Sequence, residues 1–368
     1  APGPAAAAVI TINTAVNGTQ LIGGGDDLQI TAGGSITAPG SGDDGVRESA
    51  PGASIGSISN AGSIEAGRNG IFVDQGASVS GDLHNGGDIL AGTDGIDVGA
   101  GGGVGGDVNN SGSIEAGDRG IELSQGSVAG SVRNSGDIAA DGDGIGLGGM
   151  SITGGLINTG SITSGRFAIG VSQSALQGNI TNAGSVQGQS SGIGIAATAV
   201  GGGIQNQPGG TIVAALFSGI GAAGATVAAG IDNAGGITAN FGVTISASAV
   251  VEGGVTNSGS IKGSTFGVGL GNAGRVNGGV TNSGGIASPN SAIVVTAGAV
   301  VQGGIANTGS LTGPLQIFGS DGGGGGIDVT NSGDVDLLDS ESAISGDFTQ
   351  TGTGTLAMTL MSFSDYTG

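Results

Sequence analysis

Short runs of apolar residues at alternate positions recur along the chain, separated by Gly, Ser, Asn and Asp, and the runs keep register with one another. The register is marked by Asn-x-Gly-x-Ile. "NSGSI" at 110–114 returns as "NSGDI" at 134, "NTGSI" at 158, "NAGSV" at 182, "NSGSI" at 257 and "NSGGI" at 282. Aligned on its asparagine, the motif falls at Asn60, Asn85, Asn110, Asn134, Asn158, Asn182, Asn206, Asn233, Asn257, Asn282, Asn307 and Asn331. The spacing is 24 or 25 residues, except for 27 between Asn206 and Asn233. There "NQPGGTI" places the extra residues in the turn beside Pro208, and turns tolerate insertion.

The apolar residues hold fixed places within each interval. Leu83, Val108, Val132 and Leu156 lie two before the asparagine, and Ile89, Ile114, Ile138 and Ile162 four after it. Alternating pairs follow, such as Ile96/Val98 and Ile121/Leu123, and then a further branched residue, Val104 or Val128. Alternation at period two in β-branched residues is a strand signal. No stretch carries a helical stripe, and the glycines would break one. Each interval therefore predicts three short strands and three turns. A unit this small buries its apolar residues only by stacking on copies of itself. The expected fold is all-β: a right-handed parallel β-helix of about 13 three-stranded coils, ~4.8 Å apart.

This answers what the asparagine is for. It shares the inward parity of the apolar positions on either side, at a turn. A buried amide needs partners, and stacked amides supply them from coil to coil. The glycine two residues later permits positive φ or close packing.

Residues 1–59 lack the motif, although Ile30 and Ile36 keep its apolar spacing, and read as an N-terminal cap with irregular first coils. Residues 60–340 are the regular helix. Residues 341–368, with alternating Phe348, Gln350, Leu356, Met358 and Leu360, then Phe363 and Tyr366, read as a C-terminal capping hairpin or sandwich. A divergent cap is expected because an exposed end coil is an open edge.

Composition narrows the function. Of 368 residues, 88 are Gly, but not every third one, which excludes collagen. The net charge is −21, and the seven basic residues are scattered. That argues against nucleic acid and against direct binding to anionic membranes, since both need a basic patch. No apolar run is long enough for a membrane helix. The opening "APGPAAAAVI" has no basic leader, and its small residues suit a mature N-terminus after cleavage or, nearly as well, a linker. The absence of Cys fits the cytosol or an exported chain.

The Asn-x-Gly-x-Ile coils, over about residues 55–340, resemble the passenger domains of autotransporters, the type V secretion proteins of Gram-negative bacteria. "GDFTQTGTGTLAMTL" (346–360) is similar to the autochaperone segment that joins such passengers to their outer-membrane barrel. The resemblance implies export to the cell surface, with folding coupled to translocation through a β-barrel partner. It implies no single activity. No barrel-like segment follows before Gly368.

Candidate chemistry is sparse. The only His, His84, sits in a variable turn column and reads as a surface residue. Zinc ligation lacks His and Cys. Stacking brings Asp94, Arg119 and Asp143 into one column, an acid-base-acid ladder, and Asp97 and Glu122 into another. These read as charge pairs on a solvated face, with a cation or uronate site as the alternative. "GGVGGDVN" (102–109) matches a calcium β-roll repeat only in part and reads as a Gly-rich turn. No cofactor is expected; weak Ca²⁺ binding by acidic turns is the one alternative. Phe167, Phe241 and Phe266 share a column or nearly so, with Phe241 and Phe266 stacked, and read as core or corner packing rather than a sugar platform.

The sequence reading is thus a surface-displayed, adhesin-like passenger rod without catalytic activity, with cell-surface glycans as partners. One alternative is a subunit of an extracellular filament that assembles with itself head to tail. Another is a polysaccharide lyase or hydrolase.

Overall fold

The computed structural model describes residues 7–48, 52–73, 76–338 and 340–358. The chain is an all-β, right-handed parallel β-solenoid of about 14 stacked coils. Each strand pairs in parallel with its copy one coil on. Leu83 lies beside Val108, and Asn85 beside Asn110.

Most coils hold four strand segments where the sequence suggested three. In one coil they are Leu83–Asn85, Asp88–Ala91, Ile96–Val98 and Gly103–Val104. The first forms an Asn sheet, the middle two share one bent sheet, and the last forms a short third sheet. A turn at 92–95 separates the middle two, so a single alternating run was not their signature. In two later coils that corner straightens. Gly236–Ser246 and Ser260–Leu270 are then single strands of 11 residues, with a register shift between Ala239 and Phe241.

The apolar columns fill the lumen. Leu83, Ile89, Ile96, Val98 and Val104 are all buried, as are their copies above and below. Each contributes roughly 1.5–3 kcal/mol by leaving water, but no coil closes this core without its neighbours.

The stacking runs past the expected domain limits. Val9–Ile12 lies parallel to Asp27–Ile30, which lies parallel to Ile58–Asn60. At the other end Phe348–Gln350 lies parallel to Val329–Asn331, and Leu356–Ala357 to Val335–Asp336. Up to Met358 the chain therefore makes another coil, not the expected hairpin or sandwich. Phe348 and Gln350 keep the parity of Val329 and Asn331, so the pattern that suggested a hairpin also suits a coil. Leu360, Phe363 and Tyr366 lie outside the described residues.

Candidate functional site

All twelve motif asparagines are buried, with at most 2 % exposure. Asn60 Nδ2 donates to Asn85 Oδ1 at 2.7 Å, Asn85 to Asn110 at 2.8 Å, and Asn110 to Asn134 at 2.7 Å. The chain of amides continues through Asn158, Asn182, Asn206, Asn233, Asn257, Asn282 and Asn307 to Asn331. Within a rung the same Nδ2 also reaches two carbonyls. Asn158 donates to Gly160 O and to Ser185 O, both at 3.2 Å. The ladder has a further rung that the asparagine spacing alone does not reveal: Asn331 Nδ2 donates to Gln350 Oε1 at 2.7 Å. At the other end the Asn60 Oδ1 accepts from Gly62 N at 3.1 Å. This column is saturated by its own members and the turn backbone, so it offers a ligand little.

The motif glycine is explained by packing, not by φ. Its copies do not adopt positive φ. A Cβ on Gly160 would lie 2.0 Å from Gly136 O, and one on Gly136 1.9 Å from Gly112 O. Backbone crosses backbone there, which only glycine permits.

The charged columns differ from expectation. Arg119 does not bridge Asp94 and Asp143; its ion pair is with Glu122, at 3.6 Å. Asp94 instead accepts Arg119 N at 3.0 Å, and Asp143 accepts Phe167 N at 3.2 Å while pairing with Arg166 at 3.7 Å. Nor is this a solvated face. Asp94 is 6 % exposed, and Asp97 and Glu122 are half-buried. Burial, then the charges of Asp94 and Glu122, push the Asp97 carboxyl up to about 7, against the pull of Arg119. Burial also raises Asp94 against its bond from Arg119 N, and Glu122 against its bond from Ser124. Burial disfavours the Arg119 charge, but Glu122, Asp118, Asp94 and Asp143 more than offset it and raise its pKa. The expectation of weak surface pairs failed because column arithmetic gives neighbours but not depth.

The acid end opens onto a groove of about 610 Å³ along the bent sheet. Its floor is the outward position of the Ile96–Val98 ladder. From coil to coil that position reads Phe72, Asp97, Glu122, Gly146, Gly170, Gly194, Gly221, Thr244 and Gly269. Four successive glycines span ~14 Å of it; the Glu122 carboxylate reaches over Gly146 and the Phe167 ring over Gly194, and Gly170 and Gly221 are left open. Phe167 borders it on one side, with Arg166 over its ring at 5.8 Å to the centroid. Phe241 borders it further along, stacked on Phe266 at 4.6 Å and 20°. These rings are half-buried on the outer face, where the two halves of the bent sheet meet, which fits the corner packing read from the sequence and not the core packing. Phe217 on the rim is 54 % exposed.

His84 lies on the Asn sheet, between Ser59 and Asn109, on a different face from the groove. The turn at 105–107 uses Asp107 to accept Ser131 N at 2.7 Å and to pair with Arg133 at 3.4 Å. Among the described residues, no three His, Asp or Glu side chains converge as a metal cage.

No protein-family model matches the chain, and no curated protein or solved structure matches it either.

Proposed function

We propose that this chain is the displayed rod of an exported, autotransporter-type protein, adhesin-like and non-catalytic, with its groove as the ligand face. The observation that carries the reading is the combination of an unbroken solenoid with one cleared, aromatic-bordered groove on its outer surface. Large exposed apolar features on a soluble surface usually mark contact with something else. The Asn-x-Gly-x-Ile coils and the absence of Cys agree with export, and an outer-membrane barrel is the partner such export requires. Antibody raised against residues 60–340 should label intact cells of the producing organism as strongly as permeabilised ones. Labelling only after permeabilisation would overturn the display reading.

One observation favours a second reading, glycoside hydrolysis. Asp97, with its raised pKa, stands one coil from Glu122, which lines the groove, and a protonated carboxyl next to a second one is the equipment of a glycosidase. Their partners count against it. Glu122 is held by Arg119 and Ser124, and Asp97 Oδ2 by Asn69 Nδ2 at 3.2 Å. We expect no reducing or unsaturated sugar ends from incubation with polysaccharides. Release that disappears in Asp97→Asn would establish the second reading instead.

A further inference from the structure

The four glycines of the groove floor need an explanation, because the fold does not demand them. None adopts positive φ. The same outward position carries Phe72, Asp97, Glu122, Thr244, Val294 and Gln316 in other coils, so it accepts any side chain. Nor does backbone crowd them, as it crowds the motif glycines. A Cβ on Gly170 or Gly221 would meet nothing closer than 3.3 Å, the Cβ of Phe167 or Ser218 respectively. At Gly194 the obstacle is the Phe167 ring itself, 2.8 Å from where a Cβ would be. That ring thus lies along the floor with its outer face turned away from the sheet. At Gly146 the obstacle is Glu122 Oε2, 2.3 Å from where a Cβ would be. Two of the glycines thus make room for neighbouring side chains, while Gly170 and Gly221 leave the floor open.

What the path is lined with narrows the occupant. Flat aromatic faces stand at both ends, Phe167 at one and the stacked Phe241–Phe266 pair at the other. Between them are hydroxyls: Ser218 and Thr244, bonded to each other at the base, and Ser172 and Ser246 on the wall. Hydroxyls donate and accept with equal ease. An alkyl chain would have no use for them. An extended peptide would seek a strand edge with free backbone groups, and the face of a sheet offers none. A pyranose has a C–H face for a ring and a rim of hydroxyls for Ser and Thr. Charge selects further. Arg119 and Arg166 on the groove are already paired with Glu122 and Asp143, and the chain carries −21. A uronate or sulfated sugar would meet repulsion and no free guanidinium among these groove arginines.

We infer that the strip from Phe167 to Phe241 binds an unbranched, uncharged hexopyranose chain lying along the solenoid axis. This rests on the reading of the groove as a ligand face. The sugar stacks on the Phe167 ring and on Phe241, and its hydroxyls bond to the Ser218–Thr244 pair. The acid end beside Glu122 closes the path to anionic glycans.

The test is calorimetric titration of the whole chain with cellohexaose, maltohexaose and laminarihexaose, with hexagalacturonate and dodecanoate alongside. At least one neutral hexasaccharide should bind saturably, and neither anion should. Phe167→Ala and Phe241→Ala should each weaken that binding at least tenfold. Gly221→Val, which refills the floor at a position where Thr and Val stand in other coils, should abolish it without lowering the melting temperature. Binding by none of the three sugars would overturn the inference. So would equal binding of hexagalacturonate, binding of dodecanoate alone, or a Gly221→Val protein that binds as tightly as the parent. Surface labelling of intact cells does not depend on any sugar, so a failed titration with labelled cells removes the ligand and leaves the display reading standing.

Discussion

A buried amide is safe only while every neighbour in its column is present. Replacing Asn158 by Leu would leave the second Nδ2 hydrogen of Asn134 short of its amide partner and Asn182 Oδ1 without a donor. Each orphaned buried group costs ~1–3 kcal/mol, so Asn158→Leu should lower stability by about 2–4 kcal/mol, read as a lower thermal midpoint and faster amide exchange in the adjoining coils. The two kinds of glycine should differ in their response to a methyl group. Gly160→Ala drives a Cβ into Gly136 O and should cost at least ~1–3 kcal/mol, as overpacking does. Gly170→Ala meets only side-chain contacts at 3.3 Å and beyond and should leave the midpoint within a degree or so. The motif made the asparagines easy to find. It did not make Gln350 easy to find, because the period fails after Asn331 and a longer amide completes the ladder.

Columns are the elements of this molecule, and they were legible to different depths. The inward columns were readable because β-branched residues recur at fixed offsets, and the structure buries them as the alternation requires. The groove floor was not, because a run of glycines at an outward position gives no periodic signal in a chain already rich in Gly. The charged columns were readable as neighbours but not as buried groups. Their depth depends on everything packed around the column, as at Glu122, which is only 16 % exposed beside Arg119. That depth has a pH consequence. The Asp97 carboxyl titrates near 7 when folded and near 3.8 when unfolded. The folded state therefore holds this proton more tightly, so ionisation of Asp97 takes stability away as pH rises from about 4 to about 7, with no further change above. Asp97→Asn should remove this loss. Its thermal midpoint, compared with the parent, should differ little at pH 4 and be clearly higher at pH 8. An advantage that grew toward acid pH would contradict the assignment.

At the scale of the whole molecule, about 14 coils at ~4.8 Å give a rod roughly 65 Å long. Stability in such an array is a sum over coils and their interfaces, so damage to one coil should melt locally before it melts globally. The rod also sets the choice between a displayed passenger and a self-assembling filament, since both use the same coils and differ only in whether ends meet. Electron microscopy of the purified chain at micromolar concentration, with and without Ca²⁺, decides this most directly. Separate rods of about that length under both conditions are the predicted result. Long filaments of coaxial rods would contradict it and make polymerisation the function.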